Sequence, residues 1–459
     1  MNKLVIFDLD GVLMDSRELH YEALNKALIY VGVEFVIGRE EHLAKYDGLN
    51  TTKKLEMLHV EKGLPRKYFN QVWKDKQTAT FHLIKQFPKD EHLIRLIERL
   101  HISGWKTAVA SNSIRETVRI ALDALGILPL IDYYVSNEDV YHTKPNPEMY
   151  WKCMIALDAL PKNTIIIEDS HIGRQGAIDS GCHLYAVENA VSFDKEKFME
   201  YTRKYEGSFK DIKIPWKDEK LNVLIPMAGA GSRFSAAGYT FPKPLIEVHG
   251  KPMIQVVVEN LNIAANYIYL VQREHYEKYN LKYLLNLITP GCKIVLVDGL
   301  TEGSACTTLL AKDLINNDNP LLLANSDQWI EWNSNECMYA FQADEIAAGI
   351  LTFEATHPKW SYVKLGEDGF VSEVAEKKVI SNMATVGIYY WKYGKDYVWA
   401  AEEMIRKNIR TNNEFYICPA FNEVLHKKFK IRAKNIDRMW GIGTPEDLNE
   451  FLIHHPEKL

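Results

Sequence analysis

The feature that most constrains this chain is a short apolar run that breaks at once into a loop of reactive side chains. It occurs twice. Leu4-Val5-Ile6-Phe7 runs into Asp8-Leu9-Asp10-Gly11, and Asn222-Val223-Leu224-Ile225-Pro226 runs into Ala228-Gly229-Ala230-Gly231-Ser232. An apolar strand that ends in such a loop is how an α/β domain opens. Residues 205–220 between them are polar, contain Gly207 and Pro215, and follow neither a helical nor a strand period. The boundary therefore falls there. The 459 residues are predicted to form two units, 1–207 and 219–459, with a linker at 208–218.

In the first unit, apolar strands recur at 4–7, 107–110, 133–135, 164–167 and 184–187. Helical patterns at 91–101, 114–124 and 147–158 separate them, which predicts a parallel sheet covered by helices on both faces. Residues 15–90 read as a mostly helical insertion after the first strand. In the second unit, strands are expected near 222–226, 267–271, 293–297, 320–324, 348–354 and 385–391. The fold class is α/β, with two Rossmann-like domains: a parallel sheet with a helical insertion, then a mixed sheet flanked by helices.

Composition sets the outer limits. Hydrophobic residues make up 47% and charged residues 25%, as in a globular protein. A net charge of −6 supplies no general attraction to nucleic acid or to an anionic membrane, and neither is an expected partner. No run of about 18 apolar residues is present, and the apolar stretch after Met1 is too short for a signal peptide. The six cysteines are scattered without a CxxC pair and read as reduced thiols of a cytoplasmic protein. The sequence leaves homo-oligomerisation open.

Four elements of the first unit fall just after predicted strands. Asp8 and Asp10 are two residues apart, so both can face one crevice, one attacking phosphorus and the other moving a proton. Ser111 offers a hydroxyl to a phosphate oxygen, Lys144 offers a cation, and Glu168-Asp169 offers carboxylates to a metal. Singly, each has an ordinary explanation as a turn, a solvated charge or a helix cap. Together and in order they make a phosphoryl-transfer site. On these motifs (DLDGVLMDS, SNS, KPNP and EDS) residues 1–205 resemble the haloacid dehalogenase-like phosphatases that carry a helical cap. The resemblance implies that Asp8 is the nucleophile, Asp10 the general acid/base, and Ser111 and Lys144 the grip on the phosphoryl group. It also implies Mg²⁺ held by Asp8, the Asp10 main-chain carbonyl and Asp169, with Glu168 beside them. A cap at about 15–90 would choose the substrate, with Asp47–Lys54 as its loop. His20 reads as a surface or core helix residue. A mutase activity is the alternative within this family.

In the second unit, small residues at Ala228, Gly229, Gly231 and Ser232 let backbone N–H groups approach a triphosphate. Arg233 can meet its β and γ phosphates, and Lys243, between two prolines, its α phosphate. With Pro242-Lys243-Pro244-Leu245 following the Gly-rich loop, residues 220–455 resemble the sugar-phosphate nucleotidyltransferases. The resemblance implies that Glu302 and Gly303 lie near the nucleobase and that Asp327 binds Mg²⁺. It assigns the acceptor to Glu376 and Lys377. Many relatives have a second metal-binding Asp where this chain has Gly441; Asp437 reads first as a solvated loop charge, and either it substitutes or Asp327 and the phosphates carry Mg²⁺ alone.

The expected activity is bifunctional: a Mg²⁺-dependent phosphatase, and a transferase joining an NTP to a sugar or polyol phosphate with release of pyrophosphate. CTP is the expected donor for a polyol phosphate. The product class is an activated precursor of a capsule or other surface polysaccharide. The competing class is a non-catalytic sugar-nucleotide-binding protein.

Overall fold

The computed structural model describes residues 2–46, 49, 51–210, 214–229, 231–343 and 345–455. The chain divides into two compact units, Met1–Lys210 and Asp211–Leu459. Of the expected linker, Asp211, Ile212 and Lys213 lie outside the described residues.

The first unit is built on strands β1 (Asn2–Phe7), β2 (Trp105–Ala110), β3 (Tyr133–Val135), β4 (Ala159–Glu168) and β5 (His183–Ala186), ordered β3-β2-β1-β4-β5 and all parallel. Leu4 to Phe7 and Ile165 to Ile167 are wholly buried, because helices cover both faces of a parallel sheet. Helix Glu91–Ile102 shows how the sequence builds one cover. The Asp90 carboxylate accepts from the amides of His92 and Leu93, and Leu93, Leu96, Ile97 and Leu100 form one buried stripe at helical spacing. The chain moves outward from β1 through β2 to β3, then crosses to β4 and β5. The C-terminal ends of β1 and β4 thus flank the point where strand order reverses, the place where α/β sheets bind ligands.

The insertion after β1 is helical. Helices Arg17–Ile29, Thr51–Lys62 and Phe69–Ile84 enclose their own apolar core of Leu24, Leu28, Tyr46, Leu55, Leu58 and Val72. Within the expected cap loop, Asp47, Gly48 and Asn50 lie outside the described residues, and Thr51 to Lys54 form the first turn of the second helix.

The second unit contains β6 (Trp216–Pro226), a two-residue hairpin of β7 (Glu247–Val248) and β8 (Lys251–Pro252), β9 (Ile263–Gln272), β10 (Lys293–Val297), β11 (Leu321–Ala324) and β12 (Gln328–Glu331). It continues with β13 (Ala348–Glu354), β14 (Ser361–Leu365), β15 (Val371–Glu376), β16 (Met383–Trp391), β17 (Ile431–Asn435) and β18 (Arg438–Gly441). The main sheet runs β10-β9-β6-β11-β16-β13-β17, and β14 attaches β15 to β16. Strands β10, β9, β6 and β11 are parallel, while β16 runs against both β11 and β13. Strands β12 and β18 make a separate antiparallel ladder. Among the described residues no helix is long and apolar enough to cross a membrane, and all six cysteines are free thiols.

Gly349 on β13 lies against the ring of Phe341, and an added Cβ would come 2.2 Å from it. That ring is stacked on Tyr390 of β16 at 5.7 Å between centroids, so it cannot step aside. Gly349→Ala is expected to destabilise the fold by about 1–3 kcal/mol, the cost of overpacking a core. Thermal unfolding followed by circular dichroism checks this; an unchanged midpoint would show that the Phe341 ring does move.

Candidate functional site

In the first unit the strand ends converge on a buried cation. Lys144 Nζ donates to Asp8 Oδ1 at 2.7 Å, to Glu168 Oε1 at 2.6 Å and to the Ala110 carbonyl at 2.7 Å, which uses its three protons. Tyr150 donates a further bond to Glu168 Oε1 at 2.7 Å. Burial alone would push the Lys144 ammonium down, but the carboxylates of Asp8 and Glu168 hold it above its ordinary value. Burial and the neighbouring Glu168 raise the Asp8 carboxyl despite Lys144.

Oxygens of Asp8, Glu168 and Asp169 lie within 4.8 Å of one another. Three carboxylates gathered this closely, with one lysine among them, fit a hard divalent cation that takes oxygen ligands. Two glycines make room for the cluster. A Cβ on Gly11, whose φ is +86°, would come 2.0 Å from Asp169 Oδ2, and one on Gly173 would come 1.9 Å from Glu168 Oε2.

The Asp10 carboxylate lines the same cavity but has its own partners. It accepts from the Ser16 hydroxyl and from Ser113 Oγ at 3.1 Å, and His20 Nε2 lies 2.9 Å from Oδ1. Burial raises its carboxyl, but His20 and the two hydroxyls more than offset this and leave it well below the ordinary value. His20 lies on a helix, as read, and its ring lines the cavity beside Asp10. It is the helix Arg17–Ile29 that brings it back over the β1 loop. Ser111 is wholly buried and accepts from the Ser113 amide at 3.0 Å, while Asn112 and Ser113 form the wall above it. The wall belongs to a cavity of about 240 Å³ that also contains Asp8, Asp10, Lys144 and Asp169, with the cap helices opposite.

In the second unit Lys243 Nζ is paired directly with the Asp327 carboxylate, both half-buried. The Gly-rich loop lies against this lysine: Gly231 adopts φ +61° and starts the short helix Ser232–Ala236. Ala228 is buried and its carbonyl accepts from Gln272 Nε2 at 2.6 Å, whereas Ser232 and Arg233 are exposed. Gly229 is also exposed, and Ala230 lies outside the described residues. A Cβ on Gly443 would meet Asp327 Oδ2 at 2.3 Å, so the closing Gly-Thr motif packs directly on that carboxylate.

The strand ladder decides between the two readings of Asp437 by its distance from Asp327. Gly441 pairs with Gln328, next to Asp327, while Arg438 pairs with Glu331 at the other end. Asp437 lies one residue further and donates its amide to the Glu331 carbonyl. Four residues of strand, about 13 Å, separate it from the Gly441 position, so it does not replace the missing acid. A Cβ at Gly441 would instead meet Asp447, at 3.4 Å from Oδ2.

A turn that the sequence reading did not single out links the other expected residues. Asn412 and Asn413 both have positive φ between bridged Thr411 and Glu414, a tight reversal that the Asn-Asn pair could have signalled. Phe415 donates its amide to the Glu302 carbonyl at 2.8 Å and accepts from the Ala305 amide at 2.9 Å. Gly303, at φ +132°, allows this approach, since a Cβ would come 2.5 Å from the Phe415 backbone. Arg410 pairs with the Glu302 carboxylate. Lys377 adopts φ +53° and donates to the Tyr416 hydroxyl at 2.5 Å. Glu376 accepts from Ser361 Oγ, and burial raises its carboxyl. Left-handed backbone at a non-glycine residue costs of order 1–3 kcal/mol and collects at functional sites.

Comparison with known proteins follows the same division. Residues 5–187 match the haloacid dehalogenase-like hydrolases, and residues 222–451 match the nucleotidyl transferases. Over 195 residues the chain is 26% identical to a phosphorylated carbohydrates phosphatase of Thermotoga maritima, covering 42% of this chain and 88% of that protein. It is 28% identical over 210 residues to the pyrophosphatase PpaX of Halalkalibacterium halodurans, covering 45% and 90%. The nucleoside-diphosphate-sugar pyrophosphorylase of Vibrio cholerae RC9 is a structural neighbour with 24% identity and a TM-score of 0.45, covering 50% of this chain and 99% of that one. CbbY from Rhodobacter sphaeroides is another, with 22% identity and a TM-score of 0.37, covering 40% and 86%. The chain belongs to the nucleotidyl transferase family and carries, ahead of that domain, a haloacid dehalogenase-like hydrolase domain.

Proposed function

We propose that the chain is a bifunctional enzyme that removes one phosphate from a small phosphorylated sugar or polyol and joins what remains, through another phosphate, to a nucleotide. The observation that carries the hydrolase half is the buried triad of Lys144, Asp8 and Glu168 at the strand ends. Asp8 attacks phosphorus, the bond to the leaving oxygen breaks, and Asp10 supplies that oxygen with a proton. Water then attacks the aspartyl-phosphate, Asp10 takes its proton, and inorganic phosphate leaves. Lys144 offsets charge on the nucleophile, and Ser111 with the adjoining Asn112 and Ser113 edge the phosphoryl position. Asp8, Asp169 and the Asp10 main-chain carbonyl would hold Mg²⁺, which supplies charge neutralisation at the phosphoryl oxygens.

In the transferase half an acceptor phosphate attacks the α-phosphorus of an NTP and pyrophosphate leaves, with no covalent enzyme intermediate. The Gly-rich loop (Ala228, Gly229, Gly231, Ser232) and Arg233 bind the triphosphate, and Lys243 meets its α phosphate. Glu302 and Gly303 edge the base, while Glu376 and Lys377 hold the acceptor. Asp327 would hold Mg²⁺ on this side, with the phosphates as its other ligands. CTP is the favoured donor if the acceptor is a polyol phosphate. The product serves as an activated precursor for capsule or other surface polysaccharide, a reading supported by the family likeness.

If both sites used the same phosphate, the chain would destroy its own acceptor. The phosphatase therefore acts on a different one, and acts first. A pyrophosphate-release assay across four NTPs and a panel of sugar and polyol phosphates tests the transferase; no release with any pair would leave a binding protein. Lys243→Ala is expected to lower release on the order of 10²–10³-fold, as for loss of a preorganised charge. With a bisphosphate as starting material, Asp8→Asn is expected to stop formation of the nucleotide product; formation at the wild-type rate would defeat the coupling. Labelled phosphate appearing as free phosphate, and not retained in organic ester, separates phosphatase from mutase.

Chelation by EDTA is expected to abolish phosphate release, and added Mg²⁺ to restore it; release that persists in EDTA would remove the metal from the hydrolase site.

Tyr416→Phe deletes the hydroxyl that holds Lys377 while keeping the ring. It is expected to raise KM for the acceptor about 3- to 10-fold, the worth of a hydrogen bond to a charged group, with KM for the NTP unchanged. An unchanged acceptor KM would separate Tyr416 from acceptor binding.

A further inference from the structure

In the ladder of β14 and β15, Ser361 stands directly opposite Glu376, and its hydroxyl donates to Glu376 Oε2. The backbone carries the ladder one step further: the Lys377 amide donates to the Trp360 carbonyl at 3.1 Å, although Lys377 has turned to φ +53°. Glu376 is half-buried, and burial raises its carboxyl. Ser361 and then Lys377 pull it back down, while Glu414 pushes it up. Next to Ser361 are Tyr389 on β16 and Cys418, both buried. Burial above all keeps the phenol and the thiol protonated, and the nearby Glu376 adds to this; Ser361 is a hydrogen-bond neighbour of both. Thr385 Oγ1 lies 3.0 Å from the Tyr389 hydroxyl and completes this buried side. A serine has one proton to donate and lone pairs to accept with. Beside two protonated donors the chain of bonds has one direction: the Ser361 oxygen accepts from the buried side, and its proton goes to the Glu376 carboxylate.

We propose that Ser361 is a positioning residue for the acceptor of the transferase: it fixes the Glu376 carboxylate by one oxygen and favours its ionised form, which leaves the other oxygen to accept from a hydroxyl of the acceptor. The inference rests on the assignment of Glu376 to the acceptor under the proposed function, and deepens it. The acceptor selected in this way is a phosphate ester that carries a free hydroxyl, because an ionised carboxylate can only accept. Without Ser361 the Glu376 side chain is free to turn and takes up a proton more readily, and a protonated carboxyl offers fewer acceptor positions.

The test uses the full chain with Mg²⁺, each of the four NTPs and two acceptors, glucose 1-phosphate and sn-glycerol 3-phosphate. Pyrophosphate release is followed from about pH 5 to about pH 8, the range in which a raised carboxyl titrates. Ser361→Ala is expected to raise KM for the acceptor about 3- to 10-fold at neutral pH, with kcat and KM for the NTP unchanged. The acid-side rise of acceptor KM is expected to begin at higher pH in Ser361→Ala than in the wild type, because the bond that favours the carboxylate is gone. Glu414 and the acceptor phosphate are the same in both proteins, so the difference belongs to Glu376. Ser361→Thr keeps the hydroxyl on a residue suited to a strand and is expected to restore both KM and the pH profile. An unchanged acceptor KM in Ser361→Ala overturns the proposal. So does a raised KM whose acid limb does not move, which marks a packing role alone. Glu376→Gln separates the two levels. If it raises acceptor KM while Ser361→Ala does not, this inference alone fails; if it leaves acceptor KM unchanged, the acceptor assignment fails and this inference with it. Absence of release with either acceptor and any NTP overturns the sugar and polyol phosphate reading, and this inference with it.

Discussion

The first unit depends on one ammonium group. Lys144 lies among Asp8, Glu168 and the Ala110 carbonyl, and the three side chains are almost or entirely excluded from solvent. Burying charges is costly, and such a cluster persists only where geometry and further hydrogen bonds compensate. Here the Tyr150 hydroxyl and a carbonyl at the end of β2 complete the set. The strand ends must therefore stay in register, since Asp8 follows β1, Glu168 ends β4 and Ala110 ends β2. Gly173 follows from the same constraint, because a side chain there would collide with Glu168, and Gly11 gives the same room to Asp169 beside it. Fold and site are a single electrostatic arrangement in this unit.

The second unit solves a related problem with less burial. Its cation and carboxylate, Lys243 and Asp327, are half-buried, so water screens the pair and desolvation costs less. Order comes instead from backbone packing. Gly231 lets the loop lie on Lys243, Gly443 yields its space to Asp327, and Gly387, at φ +87°, yields to the Asn325 amide. A pair like this can be separated without stranding a deeply buried charge, as the proposed binding of a triphosphate between its members requires.

Much of the plan was legible in the sequence because parallel strands leave strong signals. A strand buried on both faces is a continuous apolar run, and the residue after it lies at the strand end by construction. Asp8, Ser111 and Asp169 could therefore be placed from local pattern alone. Lys54 was legible as part of the Asp47–Lys54 cap loop, but His20, Lys76 and Gln77 were not. They lie on helices, where a polar residue at one position looks the same whether it faces water or a cavity; only the packing of the helices decides. The place of Asp437 could not be decided for a related reason. Its distance from Gly441 in sequence is small, but β12 and β18 are antiparallel and carry it away from Asp327. The turn at Arg410–Tyr416 escaped because its contacts to Glu302 and Lys377 are long-range. Strands β12, β14, β15, β17 and β18 escaped because they are short and partly polar.

Each unit brings a lysine beside acidic residues, and under the proposed function that chemistry cannot tell one phosphate of a small molecule from another. The choice has to be made where the rest of the substrate is felt. In the first unit that is the cap, which closes the cavity with helices carrying Lys54, Lys76 and Gln77. In the second it is the turn at Arg410–Tyr416, which ties the Glu302 loop to Lys377 through the Phe415 backbone and the Tyr416 hydroxyl. These two elements lie outside the strand-end motifs that define each family likeness. On the proposed function, reaction type follows from strand-end geometry, and which phosphate is removed or kept follows from inserted elements that can vary without disturbing it.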